Sequence, residues 1–356
     1  MRDAFRAARL ALSPARFPYG RFLAALALGG LGGAVFAFND LPLPWMLGSM
    51  VACTLGALLQ APITAPAVVR PPMSAVIGVL LGSGFSPEVI GRMAGWLPTL
   101  LGLALFVAVS GLACVVYFRR VARFDPVTAY FAGMPGGLIE MVMLGEARGG
   151  DPRTIALIHS ARILLIVLTL PFAIEWMGGV DIVRSRAGPS VWEAPWTTEA
   201  LLAATALGGA VLGRLLRLRP AFLLGPMIAS ATVHALGLTD FMPPVEIVNG
   251  AQLVLGAVIG CSFVGAGPRA IRRVLLVSLG STIILLAATV LFAAAVSRAS
   301  SYGVLPLILA YSPGGLAEMS LIALSLQIEV AFVAAHHIAR VLLVALGADL
   351  VFRLLR

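Results

Sequence analysis

Residues 135–141 read Pro-Gly-Gly-Leu-Ile-Glu-Met, and residues 313–319 repeat that stretch as Pro-Gly-Gly-Leu-Ala-Glu-Met. At the same offset of 178 residues, Asp151 matches Glu329, His159 matches His337 and Arg162 matches Arg340. Polar matches at one constant offset indicate an internal duplication. We therefore predict two homologous repeats, residues 22–177 and 199–356, joined by a polar linker at 178–198 and preceded by an arginine-rich tail at 1–21.

The composition around these stretches is that of a membrane protein. Of the 356 residues, 60% are hydrophobic and only 12% are charged, whereas a typical soluble domain has about 25% charged residues. A soluble enzyme, a nucleic-acid module and a disordered chain are all excluded by this much apolar surface. Apolar runs long enough to cross a bilayer recur along the chain, so we predict an all-α polytopic membrane protein with about 10 transmembrane helices.

The charge is strongly positive, and every one of the 25 basic residues is arginine. In a soluble protein this would suggest nucleic acid, but in a membrane protein basic loops orient the helices. The tail of 21 residues is too short for a helix-turn-helix domain, so we expect no direct contact with nucleic acid. The apolar run at 22–38 lacks a clear cleavage site at its end, which favours a retained first helix over a signal peptide.

Each Pro-Gly-Gly sequence interrupts an apolar segment, because proline and two glycines do not sustain a helix. The flanking arms are each about half a bilayer long. We predict two broken or re-entrant hairpins with tips near the midplane, and a single kinked spanning helix is the alternative. A re-entrant hairpin leaves five spans per repeat and inverts the second repeat. That arrangement places far more arginines on one side of the membrane than a parallel one, so inverted topology is favoured.

The tips and the helices after them carry the candidate substrate-binding residues. The N-terminal amides of each returning arm lack intrahelical partners, and the helix dipole there favours an anion. An arginine inside an apolar helix usually faces a partner or water, so we expect ion pairs between Arg162 and Glu140 and between Arg340 and Glu318. These groups either line a site or only fasten the hairpin. The full set is Pro135, Gly136, Gly137, Glu140, His159 and Arg162, with Pro313, Gly314, Gly315, Glu318, His337 and Arg340.

Other residues have simpler interpretations. The paired histidines either relay protons or hydrogen-bond a carbonyl. Asp151 and Glu329 are expected to cap the helices that follow them or to interact with the dipoles of those helices. Two GxxxG spacings, Gly29 with Gly33 and Gly209 with Gly213, favour close helix packing within the chain or in a homodimer. The cysteines lack metal-site spacing and no catalytic motif is present, so we expect neither a metal, nor another cofactor, nor an enzyme.

The repeated motif resembles the AbrB family of bacterial membrane proteins. The first copy is Gly133–Met141 with Gly149-Gly150-Asp151 and His159-x-x-Arg162, and the second is Ser312–Met319 with His337-x-x-Arg340. The resemblance covers both halves and implies a multi-pass protein of the bacterial inner membrane linked to regulation of gene expression. Family members are also labelled ammonia monooxygenases, but this sequence offers no copper or iron site.

Two functions follow from these features. The first is a secondary transporter or permease for a small anionic solute, with a midplane site between the repeats and both termini in the cytoplasm. The alternative is a membrane-bound regulator of gene expression that senses a ligand or acts through a partner, as the resemblance implies.

Overall fold

The computed structural model describes residue 13 and residues 17–178, 188–218 and 220–354. Most of the predicted tail and residues 179–187 of the predicted linker lie outside these ranges. Within them the chain is all-α. Its helices are α1 Tyr19–Phe38, α2 Pro44–Leu58, α3 Arg70–Gly82, α4 Pro87–Arg92, α5 Leu97–Arg120, α6 Pro126–Gly133, α7 Leu138–Ala147, α8 Pro152–Gly178, α9 Trp196–Leu215, α10 Ala221–Ala235, α11 Val245–Gly260, α12 Pro268–Ser297, α13 Val304–Tyr311, α14 Leu316–Ser325 and α15 Val330–Leu354.

Seven segments among the described residues are long and apolar enough to cross a membrane. They contain α1, α5, α8, α9, α11, α12 and α15. The shorter apolar helices α2, α3 and α10 occupy the other three segments that the sequence predicted as spans, and α6, α7, α13 and α14 are the arms of the two interrupted segments. The prediction of an all-α polytopic membrane protein is confirmed.

The chain forms two compact units, and each unit draws on both sequence repeats. The six-helix unit comprises α1–α3 and α9–α11, from Met1–Pro87 and Arg184–Ala266. The hairpin unit comprises α4–α8 and α12–α15, from Glu88–Val183 and Gly267–Arg356. The sequence repeats are therefore not the compact units of the fold.

In the six-helix unit, contacts between a helix of the first repeat and a helix of the second have counterparts in which the two repeats swap roles. Helix α2 packs on α11, and the equivalent pair is α10 on α3. Glycine also permits close contact of α1 with α2 and of α9 with α10: a Cβ atom at Gly48 would overlap the backbone of Gly32 on α1, and one at Gly225 would overlap the backbone of Gly209 on α9.

At the predicted GxxxG positions, a Cβ atom at Gly29 or Gly33 would overlap the side chain of Ser49 or Trp45 on α2. One at Gly209 or Gly213 would overlap the backbone of Pro226 or Ala221 on α10, so the predicted close packing is confirmed within the chain.

The hairpin unit likewise contains pairs of equivalent contacts between the two repeats. Helix α5 contacts α15 as α12 contacts α8, and α7 contacts α15 as α14 contacts α8. Each returning arm therefore reaches a long helix of the other repeat. Asp151 caps α8 by accepting from the Arg153 amide at 3.0 Å, as predicted. The carboxylate of Glu329 lies 3.2 Å from Nη2 of Arg92 in an ion pair at the start of α15, where the interaction with the helix dipole stays a prediction.

The first Pro-Gly-Gly segment is a hairpin and not a kinked span. The Asp151 amide, beyond the end of α7, donates to Oγ1 of Thr128 at the start of α6 at 2.9 Å. Two collinear helical arms would separate these residues by about 35 Å, at 1.5 Å of rise per residue. A Cβ atom on Gly145 would also contact the Phe131 side chain, so α7 runs back along α6.

The second segment closes in the same way. Nε2 of His337 bonds to the Leu309 carbonyl on α13 at 2.9 Å. His337 lies only about 10 Å along α15 from its start, so α14 must return toward the beginning of α13. Helices α13 and α14 contact each other, and both contact α15.

Candidate functional site

Each hairpin tip is a short extended segment that frees backbone groups on both sides. Helix α6 ends at Gly133, Met134 has ψ 133°, and Gly137 has ψ 138° before α7 begins. Helix α13 ends at Tyr311, and Ser312 and Gly315 have ψ 130° and 152°. The last carbonyls of the first arm and the first amides of the second arm therefore need partners from elsewhere.

In the first repeat, Arg162 and His159 on α8 hold the end of α6. Nη1 of Arg162 donates to the Met134 carbonyl at 3.3 Å, and Nη2 donates to Nδ1 of His159 at 2.8 Å. Nε2 of His159 lies 2.9 Å from the Phe131 carbonyl. Because arginine can only donate, Nδ1 must accept, and the proton of the imidazole lies on Nε2.

The second repeat builds the same arrangement with one more bond. Nη1 of Arg340 donates to the Ser312 carbonyl, and Nη2 donates to the Gly314 carbonyl at 2.6 Å and to Nδ1 of His337 at 3.1 Å. Histidine and arginine thus contact carbonyls 28 residues earlier in both repeats. The simpler interpretation of the histidines, a hydrogen bond to a carbonyl, is confirmed.

The predicted ion pairs are wrong. Among the described residues Arg162 makes no ion pair with Glu140, and Arg340 makes none with Glu318. Both guanidinium groups bind carbonyls because each break exposes the negative end of a half-helix beside them.

Both glutamates instead fold back over the glycine that precedes their own helix. A Cβ atom at Gly137 would overlap Oε2 of Glu140, and one at Gly315 would overlap Oε2 of Glu318. The backbone φ of these glycines is −67° and −75°, which any residue adopts. Space for the carboxylate is therefore the local reason for glycine here. Each carboxylate lies at the positive end of its half-helix, where it is favoured electrostatically.

The two tips meet on one helix. Arg340 of α15 holds Ser312 and Gly314 of the second tip. One turn further along α15, Val344 faces the first tip, where a Cβ atom at Gly136 would lie 2.7 Å from Cγ1 of Val344. The structure therefore brings the duplicated Pro-Gly-Gly sequences together within the hairpin unit.

Burial leaves some groups of the site without partners. Arg162 and Arg340 are each 3% exposed, and Nε of each has no hydrogen-bond partner among the described residues. Glu318 is 4% exposed, whereas Glu140 is half-buried. A buried donor without a partner is costly, so a bound ligand or water at the two Nε–H groups would be stabilising.

Sequence reasoning missed the aromatic surroundings of the site. Nε2 of His336 lies 2.8 Å from Oγ1 of Thr99, and Nδ1 lies 2.8 Å from the Phe332 carbonyl. The hydroxyl of the buried Tyr311 donates to the Thr99 carbonyl. His336 has no counterpart in the first repeat, where Ile158 stands, so the duplication could not signal it.

The six-helix unit has a cavity of about 630 Å³, lined in part by Ser83, His234 and Asp240. Both ring nitrogens of His234 are engaged, Nδ1 with the Ser230 carbonyl and Nε2 with the Phe241 carbonyl. These bonds support a structural role for His234.

Comparison with known proteins places this architecture in a family. An uncharacterized protein of Bacillus subtilis (strain 168), YhjN, is 27% identical across 93% of this chain and 92% of its own length. A protein of Escherichia coli (strain K12) named "Putative regulator AbrB" is 24% identical across 89% of this chain and 91% of its own. The model of the family described as "Transition state regulatory protein AbrB" matches residues 45–356, and the chain belongs to the AbrB family.

Proposed function

We propose that the protein is a secondary transporter or permease for a small solute that carries an anionic group, and that it has no catalytic activity. The observation that carries the proposal is the meeting of two duplicated half-helix tips on one turn of α15, beside two buried guanidinium groups with free N–H donors. Broken helices contributed by two repeats form the substrate sites of many secondary transporters. An anionic group would accept from the free Nε–H donors.

We further propose that the two repeats have inverted topology in the inner membrane, with both termini in the cytoplasm. The distribution of arginine supports it, and so does the hairpin form of each Pro-Gly-Gly segment, because a hairpin returns the chain to the side it entered. Five spans then precede the linker. Residues 188–195 of the linker would lie on the opposite side from the termini.

The sidedness of the linker tests this topology. Ser190 is replaced by cysteine in a chain in which Cys53, Cys114 and Cys261, all buried, are changed to serine or alanine. We expect an impermeant thiol reagent to label intact cells. Labelling only after lysis would mean an even number of spans before the linker and parallel repeats.

Uptake into proteoliposomes tests transport directly. Labelled acetate, lactate, succinate and the standard amino acids serve as probes. We expect Arg162→Lys and Arg340→Lys to reduce uptake strongly, because lysine keeps the charge but has no guanidinium fork. Arg120→Gln, at an exposed position on α5, is the matched control. Equal uptake by both lysine variants and the wild type would show that the two arginines do not contribute to substrate binding.

A membrane-bound regulator is the second candidate, because the family description and the Escherichia coli relative's name both refer to regulation. A regulator of this type would bind its ligand at the same tips but carry no flux. Deleting residues 1–21 should then abolish its effect on gene expression without changing ligand binding. A normal expression response without the tail would contradict signalling through that segment.

A further inference from the structure

Unpaired groups of opposite charge lie at the second tip. The Glu318 carboxylate, in a residue 4% exposed, makes no hydrogen bond or ion pair within the described part of the chain, although it folds over Gly315. On α15, Arg340 donates to the Gly314 carbonyl, and its Nε–H is buried without a partner in the described part of the chain. The tip therefore presents an acceptor and a donor without partners, on two residues that each lie against the Gly314-Gly315 segment.

These two groups are close but not in contact. Both lie against the Gly314-Gly315 segment, yet no nitrogen of Arg340 comes within 4.0 Å of an oxygen of Glu318. Two buried charges gain most from direct contact or from groups that bridge them. A small molecule that contacted both groups would supply the missing partner of each.

Within the described part of the chain, no other charged side chain of the two tips, Glu140 included, is bonded to Glu318 or to Nε of Arg340. On α15, Nδ1 and Nε2 of His337 are both engaged, with Arg340 and with the Leu309 carbonyl. On α8, Arg162 is committed to its own tip and also has a free Nε–H. The two arginines thus each keep one buried N–H donor without a partner, and Glu318 is the almost fully buried carboxylate of the second tip.

The opposite charges of Glu318 and Arg340 indicate the class of ligand. A simple anion would satisfy the arginine donor but meet the Glu318 carboxylate, and a simple cation would satisfy Glu318 but meet the guanidinium group. We propose that the tip binds a zwitterion of the α-amino acid type. Its carboxylate accepts from Nε–H of Arg340, and its ammonium group donates to Glu318. This inference rests on the proposed transport function and specifies its substrate class.

Ligand-dependent thermal unfolding of the purified full-length protein in detergent tests the proposal. Three mixtures are compared at equal total concentration: the standard L-amino acids; acetate, propionate and lactate; and methylamine with ethylamine. A ligand that binds only the folded state raises the unfolding midpoint. We expect a rise with the amino acids alone, followed by assignment through single compounds.

Two variants test the role of the carboxylate. Glu318→Gln removes the charge with little change in shape and should weaken amino acid binding at least tenfold. Gly315→Ala keeps the charge but displaces the carboxylate, since the new Cβ overlaps only the end of the flexible Glu318 side chain. It should weaken binding too, and it carries the test if Glu318→Gln does not fold. Glu146→Gln, at an exposed position on α7, should leave binding unchanged.

The outcomes separate this inference from the proposed function. Equal stabilisation by the simple carboxylates and the amino acids, or an amino acid affinity unchanged in both variants, would overturn the zwitterion and leave an anion site. No stabilisation by amino acids would also overturn it. In that case, uptake of any other probe into proteoliposomes would still support the transport function. If no probe were taken up, the transport function would be refuted as well.

Discussion

Replacing Arg340 with methionine should destabilise the protein more than the equivalent change at Arg162. Arg340 donates to two carbonyls, of Ser312 and Gly314, both in buried residues, whereas Arg162 donates to one, of the half-buried Met134. A buried carbonyl left without its donor costs about 1–3 kcal/mol. Both changes also remove a buried charge and a bond to a histidine, so these contributions largely cancel in the comparison.

The expected difference is therefore about 1–3 kcal/mol, with Arg340→Met the less stable variant. Equilibrium unfolding in a mixed-micelle denaturant series, followed by tryptophan fluorescence, measures it. Arg120→Met at an exposed position should change stability by no more than about 0.5 kcal/mol. Equal destabilisation at positions 162 and 340, or the reverse order, would refute the view that carbonyl binding at the tips is the main stabilising role of these arginines.

Three further predictions concern other parts of the fold. Thr128→Val removes the acceptor of the Asp151 amide and should cost about 1 kcal/mol and speed hydrogen exchange at that amide; unchanged exchange would contradict the hairpin closure. Gly48→Ala should abolish monodisperse elution because its Cβ meets backbone of α1, while Gly208→Ala, with open space around it, should elute normally. Asp125 caps α6. Burial raises the pKa of its carboxyl, but hydrogen bonds, including those from the helix amides, together lower the pKa by more, so the pKa is below its usual value. The ionised Asp125 carboxylate therefore stabilises the folded state above the pKa of the unfolded chain, and this stabilisation is lost as pH falls through the pKa of the folded protein. Asp125→Ala should cost about 1 kcal/mol at neutral pH and less in strong acid. A difference in unfolding midpoint that stays constant with pH would refute this prediction.

Helix positions and the hairpins could be predicted because their signals are local. Apolar runs give the spans, and proline with two glycines gives each break. Because the sequence is duplicated, the prediction of the first hairpin also applied to the second. These properties depend on residues near in sequence, and the closure of α6 onto α7 follows from the short arms on either side of Pro135.

Partners of the buried charges could not be predicted in the same way. Charge signs suggested Arg162 with Glu140, but each break also exposes carbonyls that carry no mark in the sequence. The arginines bind those carbonyls, and the glutamates fold over their own helix ends instead. Which exposed backbone group an arginine reaches depends on the path of the chain through the tip.

The assembly of the compact units was equally hidden, because it depends on contacts between residues far apart in sequence. Gly78 approaches α10 in the same way as Gly256 approaches α2. Each glycine could be recognised as a site of close packing. Its partner could not, since a small residue accepts any helix that fits.

The composition of the two units bears on how such a chain arose. Neither unit can be completed from one repeat, because α2 needs α11 and α8 needs α12. An ancestral half-length polypeptide would have reached the same packing only by associating with a second copy, so the gene fusion would have joined subunits that already depended on each other. By the same logic, the present chain cut within the linker should reassemble when the two fragments are co-expressed, and neither fragment should accumulate alone.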